Sequence, residues 1–65
     1  MSVSGLKSLK EARQDSGLTQ VELSILIDRS VQTVQNYEQG VHCIPWDVRE
    51  QIVNLVGEFI DERQP

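Results

Sequence analysis

Long apolar runs are missing from this chain. No stretch approaches the roughly 18 apolar residues of a membrane-spanning helix. The N-terminus lacks the charged and apolar regions of a signal peptide. One cysteine, Cys43, leaves no internal disulfide to form and fits a reducing compartment. These absences predict a soluble, cytoplasmic protein with no membrane contact. The single histidine, His42, adjoins Cys43, and no second pair stands at zinc spacing. There is no second histidine to orient, no glycine-rich phosphate loop and no Ser/His/Asp set. The expectation is a protein with no metal, cofactor or catalytic role.

Positive charge is also scarce. Six Lys and Arg face ten Asp and Glu, a formal net charge of −4. A nucleic-acid binder usually carries a basic face, so this balance argues against one. The distribution softens the objection. Asp47, Glu50, Glu58, Asp61 and Glu62 against Arg49 and Arg63 leave −3 in residues 47–65, so residues 1–46 sum to only −1.

With 65 residues the chain forms one domain at most. A chain this short buries only about 60% of its unfolded surface. It therefore needs economical helix packing or a partner chain.

The pattern predicts four helices. The first runs from about Gly5 to Asp15, with Leu6 and Leu9 on one face and Lys7, Lys10 and Arg13 along another. That basic stripe is either a solvated face or a set of phosphate contacts. Ser16-Gly17 ends the helix. Thr19 and Glu22 form a capping-box pattern that opens the second helix. Val21, Leu23 and Ile27 supply its apolar contacts, and Ser24 allows close helix approach. Asp28-Arg29 makes the turn, Asp being tolerant of left-handed backbone. Ser30 caps a third helix ending near Glu38, with Val34 and Tyr37 inward and Val31, Gln32, Gln35 and Asn36 off that face.

After the loop Val41–Ile44, a last, long helix is expected from about Pro45 to Glu62. At about 100° per residue, Val48, Ile52, Leu55 and Phe59 form one stripe. Trp46, Val53, Val56 and Ile60 form a second beside it. The second stripe is either part of a broad core-facing surface or a dimer surface shared with another copy.

Spacing carries the functional reading. A short capped helix, a tight turn and a second capped helix over residues 20–39 cross steeply. Leu23, Ile27, Val34 and Tyr37 form the wedge between them. The N-terminal part of the later helix then projects Val31, Gln32 and Asn36. Gln and Asn can pair with adenine N6 and N7, and Val can contact a thymine methyl, in the major groove. Alone, such amides would only solubilise a surface.

Gly17 to Leu23 reads G-L-T-Q-x-E-L and Ser30 to Gly40 reads S-x-x-T-V-x-x-Y-E-x-G. On these motifs the chain, over roughly Leu6 to Pro45, resembles the Cro/C1-type (Xre-like) helix-turn-helix domain of phage and bacterial repressors. The resemblance implies an all-α, lambda-repressor-like fold and a homodimeric repressor on a double-stranded DNA operator. It implies base reading by Val31, Gln32 and Asn36, and a Gln20 that hydrogen-bonds a phosphate and braces a base-reading side chain, with Lys7, Lys10, Arg29 and Ser30 as further phosphate candidates. It also implies a buried Arg13–Glu38 ion pair, which withdraws Arg13 from the basic stripe.

Three positions depart from that family. Asp28 stands where glycine is frequent. Ile25 and Leu26 stand where many relatives are polar, and are either covered by the last helix or mark a partner surface. The loop Val41–Ile44 lacks the basic residues some relatives use on phosphates; only His42 could help, with Arg29 and Arg49 left to compensate. The acidity, the apolar Ile25–Leu26 pair and the depleted basic loop motivate an alternative: an antirepressor or protein-binding module of the same fold whose partner is a repressor protein rather than DNA.

Overall fold

The computed structural model describes residues 7–60. The predicted beginning at Gly5 and Leu6, and the predicted end at Asp61 and Glu62, lie outside the described residues. Four helices form, α1 Leu9–Asp15, α2 Gln20–Leu26, α3 Val31–Gln39 and α4 Trp46–Val56, flanked by two short strands, β1 Lys7–Ser8 and β2 Phe59–Ile60. The fold is a small helix-turn-helix domain, predominantly helical.

Local chemistry sets the helix starts. Ser8 caps α1 through a reciprocal box: Glu11 N donates to Ser8 Oγ at 3.2 Å, and Ser8 N donates to Glu11 Oε1 at 3.1 Å. The S-x-x-E pattern at Ser8–Glu11 places the start four residues later than the Gly5 expectation. Thr19 and Glu22 form the same box at α2, with bonds of 2.8 and 3.0 Å. Ser30 Oγ accepts from Thr33 N at the head of α3. Asp28 sits at φ 57 in the turn between α2 and α3, and Gly40 closes α3 in the left-handed region.

The last helix differs from its expectation. It ends at Val56, because Gly57 adopts φ 87 and ψ −175, a region almost reserved for glycine. The chain then extends instead of coiling. Phe59 pairs with Lys7 and Ile60 with Ser8 in a two-stranded parallel ladder. The periodicity that placed Phe59 on a helical stripe with Leu55 fails at this break. Phe59 is buried all the same, reaching the core from the strand, while Leu55 is 39% exposed.

The core gathers Leu9, Ala12, Leu23, Ile27, Val34, Tyr37, Ile44, Val48, Ile52 and Phe59. Leu18, Val53 and Val56 pack partly against it. Val53 and Val56 therefore serve this chain's own core, and Ile60 lies in β2, so the second stripe proposed along the last helix does not form as a continuous face. Val21, expected among the α2 contacts, is exposed. So are Ile25 and Leu26, at 71% and 52%, and α4 does not cover them.

Candidate nucleic-acid interface

The α2–turn–α3 unit is held from below by a buried charge pair. Arg13 Nε donates to Glu38 Oε2 at 2.6 Å, with side-chain exposures of 8% and 5%. Arg13 Nη1 also donates to the Leu18 carbonyl at 2.8 Å. One side chain of α1 thus binds both α3 and the loop before α2. Enclosing two charges is tolerated only when their hydrogen-bonding capacity is used, and Glu38 Oε1 is used as well. It accepts from Gln20 Nε2 at 3.0 Å.

The polar chain continues outward. Gln20 Oε1 accepts from Gln35 Nε2 at 3.2 Å. Gln20 opens α2 and Gln35 lies midway along α3, so the two helices of the unit are laced by side-chain amides as well as by the Leu23, Ile27, Val34 and Tyr37 wedge. On the outer face of α3, Gln32 Nε2 donates to Asn36 Oδ1 at 3.2 Å. Gln32 is exposed, and Val31 and Asn36 are half-buried beside it. Gln32 and Asn36 thus share one face of α3, and Val31 precedes Gln32 at the start of the helix.

The expected phosphate ligands are more dispersed. Lys7 belongs to β1 and forms an ion pair with Asp15, so it is not part of a helical stripe with Lys10 and Arg13. Arg13 is buried. Lys10 is exposed on α1. Arg29 is exposed beside the turn, its Nη1 donating only to the Asp28 carbonyl. Ser30 spends its oxygen on the cap, and Gln20 has two of its polar positions occupied by Glu38 and Gln35. Arg49 faces away from this task. Its guanidinium lies over the Phe59 and Trp46 rings, and its Nη2 donates to the Phe59 carbonyl at 3.1 Å. Lys10 and Arg29 are thus the two described bases with no carboxylate partner and no ring contact.

Away from α3, the expected partner surface divides into separate places. Leu18, Glu22, Ile25 and Leu26 line a shallow apolar groove on α2. Trp46 is 67% exposed at the start of α4, and Ile60 is exposed on β2. His42 and Cys43 are exposed in the loop after α3.

Sequence reasoning put Gln35 off the inward face of α3 with Gln32 and Asn36 but did not count it among the base-reading residues, and its bond to Gln20 was not foreseen.

No curated protein and no solved structure matches the chain. A family model described as a helix-turn-helix domain matches residues 7–64, a range that takes in all four helices and both strands. The chain belongs to the helix-turn-helix domain family.

Proposed function

We propose that this chain is a sequence-specific DNA-binding transcriptional regulator of the Cro/C1 type, a cytoplasmic repressor of phage or bacterial promoters. It acts as a homodimer on a two-half-site operator. The observation that carries the reading is the open face at the start of α3, where Gln32 and Asn36 lie side by side with Val31. Amides and a methyl-bearing side chain in that place suit adenine edges and a thymine methyl. Lys10 and Arg29 are the cationic phosphate ligands in this reading, with Ser30 and Gln20 as polar ones; Lys7 joins them only by leaving Asp15. Two-fold symmetry sets the half-sites about 34 Å apart, or a multiple of it.

Dimerisation rests on affinity. Few bases are free for phosphate, and each phosphate contact contributes to binding and to its salt dependence. One protomer is weak on its own, and two linked protomers multiply their occupancy. Trp46, Leu55 and Ile60 are the exposed apolar side chains of α4 and β2 offered to a second copy, while Val53 and Val56 pack partly into this chain's own core.

A second reading is favoured by the uncovered Ile25 and Leu26 beside Leu18. An apolar groove of this kind suits a protein partner, and the fold would then serve as an antirepressor that binds a repressor. A salt series with random and promoter-derived duplexes separates the two. Retention at low salt, with strong competition by one sequence, supports the repressor. Absence of binding at every salt concentration supports the protein-binding module.

A further inference from the structure

We infer that Gln35 is a specificity-determining residue whose carboxamide is turned carbonyl-outward by the relay Arg13–Glu38–Gln20–Gln35, so that it selects a base carrying an amino group. The inference rests on the DNA-reading proposal above and deepens it.

The relay has a direction because it starts at a charge. A carboxylate only accepts hydrogen bonds. Glu38 Oε2 is taken by Arg13, so Glu38 Oε1 requires a donor, and Gln20 must offer its Nε2. The carbonyl of Gln20 then faces the other way and itself requires a donor. Gln35 supplies it with Nε2. Gln35 Oε1 is left with no hydrogen-bond partner among the described residues. Inverting Gln35 would set two carbonyl oxygens against each other. Inverting Gln20 would set its oxygen against the buried carboxylate.

An outward carbonyl discriminates between ligands. Phosphate oxygens only accept, so they gain nothing from Gln35 Oε1. In the major groove the matching donors are the N6 amino group of adenine and the N4 amino group of cytosine, while guanine and thymine offer acceptors there. Gln35 is half-buried and stands three residues after Gln32, so it flanks that outer face on the side nearer the start of α2. The Gln32–Asn36 pair differs in kind. No charge fixes its orientation, and it can invert as a unit to suit either type of base edge.

The test is selection of duplex sites from a random library by the wild-type chain, Gln35→Met and Gln20→Met, with thermal unfolding read alongside. Wild type should enrich adenine or cytosine at one position of each half-site. Gln35→Met should lose that preference by about tenfold, with the remaining motif and the melting temperature retained. Gln20→Met frees the Gln35 amide to invert, so the same position should accept guanine and thymine as well. If Gln35→Met proves poorly folded, Gln35→Ala serves instead, with the same loss of preference expected. An unchanged motif in Gln35→Met, or a uniform loss of binding across all sequences, overturns the assignment. A strict amino-base preference retained by Gln20→Met overturns the relay. Wild type enriching no sequence defeats the DNA-reading proposal itself and this inference with it, an outcome distinct from an unaltered motif.

Discussion

Arg49 donates its Nη2 to the Phe59 carbonyl at 3.1 Å while its guanidinium lies 5.0 Å from the centre of the Phe59 ring. One side chain of α4 thus grips β2 by both its backbone and its ring, and leans on Trp46 at 5.8 Å from the other side. Arg49→Ala removes all three contacts. It should destabilise the domain by about 1–3 kcal/mol, read by urea unfolding. Arg49→Lys should recover little, because an ammonium lacks the flat fork that stacks and donates together. Equal stability of Arg49→Ala and wild type would remove this clasp from the account.

Gly57 ends α4 by conformation, not by crowding. A Cβ built there meets nothing within 4 Å, yet φ is 87. Gly57→Ala should therefore cost about 1–3 kcal/mol from backbone strain alone. If the variant melts with wild type, the chain tolerates a longer helix at this point and the strand ladder is dispensable.

The Arg13–Glu38 pair is nearly enclosed, at 8% and 5% side-chain exposure. Arg13→Met strands the Glu38 carboxylate and should cost about 3–5 kcal/mol. Replacing both partners with apolar residues of similar volume should restore much of that loss in a double-mutant cycle. Additive losses in the double variant would mean that the two charges act independently.

Electrostatics and base reading should separate in DNA binding. With Lys10 and Arg29 as the unpaired bases among the described residues, the log–log salt slope should be roughly −2 per protomer and −4 for a dimer. Gln32→Ala should leave that slope in place, cost about 1–3 kcal/mol on a selected site, and relax specificity at one base pair. A far steeper slope would show that bases now held in pairs, such as Lys7, turn toward phosphate on binding. Intact affinity in Gln32→Ala would move the reading face elsewhere.

The helix-turn-helix was readable because each of its signals is local. Thr19 with Glu22, Asp28 at the turn and Ser30 before α3 act within three or four residues, and their geometry appears as the spacing predicts. The end of the last helix was misread for a related reason. Val48, Ile52, Leu55 and Phe59 keep a helical period, but Gly57 interrupts the backbone beneath it, and the reward for extending lies in pairing with Lys7 and Ser8, about fifty residues away. Periodicity carries no information about such a distant partner. The same holds for Lys7, whose place in a basic stripe dissolved once it became a strand residue facing Asp15. Ser8–Glu11, by contrast, was a local signal that a stricter search for capping boxes would have found.

The parallel ladder also bears on the order in which the chain assembles. During synthesis β1, α1, α2 and α3 are all made before Phe59, the core residue that closes against them. The helix pair rests on short-range contacts and can form early, whereas joining residues 7–8 to 59–60 requires closing a loop that contains every helix. Until that happens, the core lacks the Phe59 ring, which lines one small cavity with Leu9 and Ile44. Helix α3 is thus among the first parts that can take shape, and the seal beneath it among the last.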